Sequence, residues 1–134
     1  MNTAKINFIT VPKVLAIHSY VVKRFGGSQG IRDLGLLEAA VARPQASFST
    51  KHLYKTIFLM AAALFHSIIN NHPFIDGNKR TALFSTGIFL KTNKIVLTNQ
   101  HQVEVEFTVR VTIDDLSVEE IAIWLEDHSI KNTS

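Results

Sequence analysis

The chain has 134 residues, of which 46% are hydrophobic and 19% are charged. This length and composition predict one globular domain over residues 1–134 and exclude a disordered chain. The absence of cysteine excludes thiol catalysis, disulfide scaffolds and iron–sulfur or zinc-ribbon sites. The N-terminus lacks an apolar core of signal-peptide length, and the longest unbroken apolar run, Ile57 to Phe65, has nine residues. A membrane span needs about 18, so we expect a cytoplasmic protein without membrane contacts.

Positive charge is concentrated in the first three quarters of the chain. Residues 1–103 contain twelve Lys or Arg and three acids, whereas residues 104–134 contain two bases and eight acids. A basic body can bind nucleic acid, but here the basic residues are scattered and no aromatic residues alternate with them. Because a small anion such as a nucleotide accounts for the excess with fewer residues, we expect no direct nucleic-acid partner.

Helix signals begin near the N-terminus. Thr10 followed by Val11-Pro12 predicts a helix start, and Gly26-Gly27 predicts its end. A short helix over residues 34–42 should end before Pro44. Both helices carry apolar residues at helical spacing, so each should bury one face.

The middle and the end of the chain also favour helices. Residues 51–70 are the most apolar segment, and residues 57–65 are apolar on every side of a helix, which predicts a central buried helix. Helical character resumes over about 78–92. Ser117, with Glu120 three residues later, forms a capping-box pattern that opens a last helix.

Residues 103–113 give a conflicting signal. Apolar and polar residues alternate strictly, and this period indicates a strand. The rest of the chain offers no strand of comparable quality as a partner, and a lone strand leaves its backbone groups unpaired. A helix that overrides propensity is therefore the alternative.

The most informative stretch is residues 71–82, Asn-His-Pro-Phe-Ile-Asp-Gly-Asn-Lys-Arg-Thr-Ala. Gly77-Asn78 begins a helix directly after a loop, where free N–H groups and the helix dipole favour an anion. Gly77 permits close approach of a phosphate. Lys79 and Arg80 lie at the helix end where cations are unfavourable, so a bound polyphosphate is the simplest reason for them.

Two more residues of this stretch supply chemistry. Asp76 offers a hard oxygen ligand suited to Mg²⁺ held against phosphates. Histidine is the side chain that most often acts as a general base, so His72 could deprotonate a hydroxyl. A histidine in isolation is more often structural, and the surrounding motif is what favours catalysis here. His18, on an apolar helix face, and His66, near the end of the central helix, are predicted to be structural.

This stretch resembles the Fic family signature, His-Pro-Phe-x-Asp/Glu-Gly-Asn-Gly-Arg-x-x-Arg. It is more similar to the Doc (death-on-curing) branch, in which Lys replaces the second Gly and Thr-Ala follows the Arg. The segment from Gly26 to Glu38, the run Ala42-Arg43-Pro44 and the pair Trp124-Leu125 also resemble that branch. The similarity covers roughly residues 10–125.

The resemblance implies an all-α Fic/Doc fold of about six helices, with the motif loop between two central helices and residues 100–113 helical. It implies that His72 is the general base and that Asp76 binds Mg²⁺. Phe74 would be the buried anchor of the loop. The resemblance assigns catalysis to His72, Asp76 and Arg80, and the phosphates of ATP to Gly77, Asn78, Lys79 and Arg80.

Two departures from the wider Fic signature bear on the reaction. Lys79 stands where most members have Gly, and Leu83 stands where they have the second Arg. In the Doc branch this change implies a reversed nucleotide and transfer of the γ-phosphate. Pro73 and Gly77 still follow the consensus of AMP-transferring members, so AMP transfer is the alternative.

The resemblance further implies a toxin that modifies a Ser or Thr hydroxyl of a translation factor, elongation factor Tu, and so blocks translation. Many Fic proteins carry an inhibitory Ser/Thr-x-x-x-Glu helix, and in this sequence no Glu has Ser or Thr four residues before it. We therefore expect restraint by a separate antitoxin. An idle antitoxin-binding co-repressor module is an alternative of another class. Arg32-Asp33 could belong either to a target-positioning flap or to a plain connection.

Overall fold

The computed structural model describes residues 5–98, 106–111 and 114–131. Within these ranges the fold is predominantly α-helical, which confirms the predicted fold class. A single 3₁₀ turn, Arg43–Gln45, follows the second helix. The described residues form six α-helices: α1 Val11–Phe25, α2 Leu34–Ala42, α3 Ile57–Asn71, α4 Asn78–Thr92, α5 at 106–111, and α6 Val118–Asp127.

Two short antiparallel ribbons complete the described fold. Strand β1 (Ser47–Phe48) pairs with β2 (Lys51–His52), and β3 (Ile95–Leu97) pairs with β4 (Ser129–Lys131). The sequence did not predict either ribbon. Because β2 occupies the start of the apolar segment, the central helix α3 begins only at Ile57, after the N-cap Thr56.

Helix α3 is the centre of the core. Nine of its residues are buried, and it packs against α2, α4, α6 and the 3₁₀ turn. A helix that is apolar on all sides is stable in water only when neighbours surround it. Helices α3 and α4 pack against each other and the motif loop joins them, so it lies between two central helices, as predicted. Helix α1 also packs on α4.

The predicted helix ends are observed. The Thr10 side chain caps α1. At α6 the Glu120 N–H donates to Ser117 Oγ at 3.1 Å and the Ser117 N–H donates to Glu120 Oε1 at 2.9 Å, which completes the capping box. Helix α4 is different, because Gly77 precedes it and no side chain caps its N-terminus.

The described part of 100–113 is helical, and residues 100–105 and 112–113 lie outside the described residues. Phe107 and Val111 are buried whereas Val109 is 40% exposed, which is the spacing of a helix face and not of a strand. Phe107 stacks on Trp124 with ring centroids 4.0 Å apart. The helix implied by the resemblance is thus confirmed over 106–111, and the strand pattern is wrong there. No helix in the described ranges is long and apolar enough to cross a membrane.

Candidate active site

The motif loop borders an open cleft of about 580 Å³. The structure brings all six predicted site residues to this one cleft, together with the C-terminal end of α1 and the two glycines that follow it. Its lining comprises Val21, Phe25, Gly26, Gly27, His72, Ile75, Asp76, Gly77, Asn78, Lys79 and Arg80.

His72 ends helix α3 in a left-handed conformation, with φ +48° and ψ +57°. This region is unfavourable for a residue with a side chain, and such strain often occurs at functional sites. The imidazole is exposed, and no hydrogen bond to it is formed by the part of the chain that the structure describes. It is therefore accessible to a substrate hydroxyl at the mouth of the cleft.

Asp76 presents its carboxylate to the same cleft. Its Oδ1 accepts from the Gly77 N–H at 3.1 Å and its Oδ2 accepts from the Ser28 N–H at 3.2 Å. A Cβ on Gly27 would lie 3.0 Å from Oδ2, so a glycine is needed for this close approach. Within the described ranges no cluster of three or more His, Cys, Asp or Glu could hold a metal. An exposed single carboxylate suits Mg²⁺, which is commonly bound by one or two carboxylates plus substrate phosphates.

His18 supports the motif loop from helix α1. Its ring is buried and stacks on Phe74 with centroids 3.8 Å apart and an interplanar angle of 6°. Its Nε2 lies 2.7 Å from the carbonyl oxygen of Asp76 and donates to it. Both His18 and Phe74 are therefore structural, as predicted, and His18 contacts the motif loop at the Phe74 ring and at the Asp76 carbonyl.

The side chain of Asn78 closes the motif loop. Its Oδ1 accepts from the Phe74 N–H at 3.0 Å and its Nδ2 donates to the Phe74 carbonyl at 2.9 Å. Asn78 is buried, and an amide that makes both bonds fixes the five-residue turn from Phe74. Its main-chain N–H, in the first turn of α4, remains for an anion.

The N-terminus of α4 is electropositive. The first-turn N–H groups have no partners within the helix, and the first turn contains no acid. Lys79 is exposed, whereas Arg80 is half-buried with its guanidinium 4.1 Å from the ring centroid of Phe25. Arg80 Nη1 is buried without a hydrogen-bond partner among the described residues. Because buried donors are normally paired, this atom fits an anion bound in the cleft.

Leu83 occupies the place of the second motif Arg, one turn after Lys79. It is buried and lines a small pocket of about 200 Å³ beside the cleft, together with Lys79, Arg80, Thr108 and Val109. The position that is a cation in the wider signature is thus apolar here.

Residues 30–33 form hydrogen bonds to the motif loop. The Arg32 and Asp33 N–H groups donate to the Pro73 carbonyl at 2.7 and 3.0 Å, and the Ile75 N–H donates to the Gly30 carbonyl at 3.1 Å. The Arg32 side chain donates to the carbonyls of Asn71 and His72. The pair Arg32-Asp33 is therefore more than a plain connection, and the sequence offered no signal for these contacts beyond the resemblance.

His66 belongs to a separate polar cluster. Arg43 Nη1 lies 3.0 Å from His66 Nδ1 and donates to Ser67 Oγ at 2.9 Å, while Arg43 Nε donates to the Tyr54 hydroxyl at 2.8 Å. Burial, and secondarily the Arg43 charge, lowers the pKa of His66. These contacts make His66 structural, as predicted.

Comparison with known proteins identifies the family. The Fic/DOC family model matches residues 8–90. "Toxin Doc" of Mycolicibacterium smegmatis (strain ATCC 700084 / mc(2)155) is 45% identical over 80 residues, which are 60% of this chain and 62% of that protein. "Protein kinase doc" of Escherichia phage P1 is 30% identical over 114 residues, 85% of this chain and 89% of the phage protein. The chain belongs to the Fic/DOC family and, within it, to the Doc branch.

Proposed function

We propose that this chain is a Doc-type toxin that transfers the γ-phosphate of ATP to a Ser or Thr hydroxyl of a protein. One observation carries the proposal: a single cleft collects His72, Asp76 and the basic first turn of α4. The names of the two relatives, a toxin and a protein kinase, support the toxin role and the phosphate transfer. We propose elongation factor Tu as the target class and the cytoplasm as the place where the toxin acts.

His72 is the proposed general base. Its exposed imidazole accepts the proton of the attacking hydroxyl, a contribution typically worth about 10²–10⁴ in rate. The hydroxyl oxygen then forms a bond to the γ-phosphorus, the bond from that phosphorus to the β–γ bridging oxygen breaks, and ADP leaves. The Arg32 and His18 contacts hold the loop that carries this base, which favours a reproducible in-line geometry.

The phosphates would bind at the start of α4. The N–H groups of residues 78–80, the Lys79 ammonium and the unpartnered Arg80 Nη1 supply the donors and positive charge. Asp76 is the group that would hold Mg²⁺, which neutralises phosphate charge when bound. Because Asp76 already accepts two main-chain N–H bonds, its carboxylate is oriented before any ligand enters.

AMP transfer remains the second candidate reaction. Pro73 and Gly77 follow the consensus of AMP-transferring members, which favours it. Lys79 and the buried Leu83 favour γ-phosphate transfer, because Lys79 adds a cation to the cleft and Leu83 leaves the position of the second motif Arg without one. Only one phosphorus can lie in line with the hydroxyl at His72, so the orientation of ATP decides the product.

A separate antitoxin is the proposed partner of this chain. The sequence lacks the inhibitory Ser/Thr-x-x-x-Glu pattern, and the cleft is open in the described part of the structure. An antitoxin that occupies the cleft would restrain the enzyme. An idle co-repressor module would not need an exposed imidazole beside an electropositive helix terminus, so the site weighs against that alternative.

The reaction can be tested with purified chain, Mg²⁺, elongation factor Tu and ATP labelled at either the α- or the γ-phosphate. We expect γ-label on the target and a mass increase of one phosphoryl group. The variant His72→Ala should lose about 10²–10⁴ in rate and remain folded, since His72 is exposed. His52→Ala, at an exposed histidine of β2, is the control and should keep full activity.

Each contrary result contradicts a different part of the proposed function. Label from the α-phosphate supports AMP transfer. Full activity of His72→Ala contradicts the general base. Labelling of other lysate proteins but not of elongation factor Tu contradicts only the target. Absence of any label, together with antitoxin binding, supports the co-repressor module.

A further inference from the structure

We propose that Arg32 is a positioning residue that fixes the backbone of His72; this inference rests on the proposed role of His72 as the base. Three consecutive carbonyls at the end of α3 accept hydrogen bonds from this one residue. Arg32 Nη2 donates to Asn71 O at 2.6 Å, Arg32 Nε donates to His72 O at 2.6 Å, and the Arg32 N–H donates to Pro73 O at 2.7 Å.

Arg32 supplies a charge that α3 lacks. The last turn of α3 contains no basic residue, although carbonyls at a helix C-terminus carry partial negative charge and favour a nearby cation. The planar guanidinium can contact two adjacent carbonyls at once, which a single ammonium does less well. Arg32 therefore acts as a C-terminal cap delivered from another part of the chain.

The contact with His72 has a geometric consequence. The direction of a carbonyl follows from ψ of its own residue, so a bond to His72 O restrains the left-handed ψ of +57°. The backbone angles of His72 in turn determine where its Cβ points. A strained conformation persists only when its surroundings hold it, and the Arg32 side chain is the group that contacts this carbonyl.

Arg32 is itself held in place. The neighbouring Asp33 N–H also donates to Pro73 O, at 3.0 Å, and Asp33 Oδ1 accepts from the Leu36 N–H as the N-cap of α2. The main chain of residue 32 is therefore fixed between α2 and the motif loop. Since Arg32 does not line the cleft, its effect should reach the reaction through His72 and not through ATP.

The test compares Arg32→Ala and Arg32→Lys with the wild type. Lys91→Ala is the matched control, because it removes an exposed cation from the last turn of α4, about 20 Å along that helix from the motif loop. Transfer of γ-label gives kcat and the KM for ATP. Amide hydrogen exchange of residues 71–76 reports the order of the loop without requiring activity.

We expect Arg32→Ala to lower kcat about 10- to 100-fold, the size of effect that a small misplacement of a reacting group produces. The KM for ATP should change by less than about twofold, because ground-state binding is not altered. Exchange of residues 71–76 should accelerate. Arg32→Lys keeps the charge but loses the planar guanidinium that contacts two carbonyls, so its kcat and exchange rates should lie between those of Arg32→Ala and the wild type. Lys91→Ala should match the wild type.

An unchanged kcat in Arg32→Ala, or a raised KM with unchanged kcat, overturns the positioning role. Unchanged hydrogen exchange of residues 71–76 in Arg32→Ala would contradict the claim that Arg32 restrains the motif loop. A wild-type protein that transfers no label refutes the proposed function instead, and the exchange measurement then still decides whether Arg32 orders the loop. If Arg32→Ala folds poorly, Arg32→Lys alone distinguishes these outcomes, because it retains the cation.

Discussion

The ring of His18 lies flat against the ring of Phe74, with centroids 3.8 Å apart, in the core beneath the motif loop. The same imidazole donates to the carbonyl of Asp76. Arg32 contacts the opposite end of the loop at His72. The loop is thus held at the residue proposed as base and at the residue proposed to bind Mg²⁺, by two side chains that do not themselves need to meet the substrate.

We predict that replacing His18 destabilises the protein. His18→Ala removes a buried ring and its hydrogen bond, so the free energy of unfolding should fall by about 2 to 4 kcal/mol. His18→Phe keeps the stacking and loses only the bond to Asp76 O, with an expected loss of about 1 to 2 kcal/mol. Urea denaturation measures both, with exposed His52→Ala as the control. Equal losses for His18→Ala and His52→Ala would contradict this role.

The two glycines after α1 should respond differently to substitution. Gly26 and Gly27 have φ of +93° and +115°, so Ala at either position strains the backbone, by about 1 to 2 kcal/mol. A Cβ at Gly27 meets Asp76 Oδ2 at 3.0 Å, whereas one at Gly26 has no atom within 4 Å. Gly27→Ala should therefore raise the Mg²⁺ concentration needed for transfer, and Gly26→Ala should not. A Mg²⁺ titration with the same shift in both variants would exclude displacement of Asp76.

Lys79 should select the transferred group. Because Lys79 lines the cleft at the start of α4, Lys79→Gly and Lys79→Ala should weaken transfer from γ-labelled ATP about 100- to 1,000-fold. Comparing Lys79→Gly with Lys79→Ala separates the effect of losing the Lys79 charge from the effect of the extra backbone freedom of glycine. Lys79→Arg should retain most activity. Unchanged γ-label transfer in both uncharged variants would show that the cation does not orient ATP.

The His66 cluster should make stability depend on pH. Burial and the Arg43 charge lower the pKa of His66 below its ordinary value of 6.5, so the unfolded chain takes up a proton more readily than the folded one. The free energy of unfolding should therefore be highest above pH 6.5 and should fall as the pH drops below it. Urea denaturation at pH 7.5 and 5.5 measures the difference. His66→Gln should reduce that difference, and an unchanged pH dependence would contradict this assignment.

Local sequence signals predicted most of the helices and the residues of the candidate site. Thr10 and Ser117 specify helix starts because each cap side chain bonds to an N–H only three residues away. The apolar run of α3 predicts burial because such a helix must be covered on every side. The motif at residues 71–82 predicted the family and six of the residues that line the cleft, since those six lie within one short loop and one helix turn.

Tertiary packing decided what the sequence pattern left open. Residues 106–111 are helical despite their alternation, because Phe107 packs on Trp124 and Val111 shares its buried face. The sequence also did not reveal which residues contact and hold the motif loop, because His18 lies 58 residues from Asp76 and Arg32 lies 40 residues from His72 along the chain. Such contacts form only once α1, α2 and α3 have packed together. The sequence therefore specified which groups are available for the chemistry, and the packing of the helices decided how those groups are held.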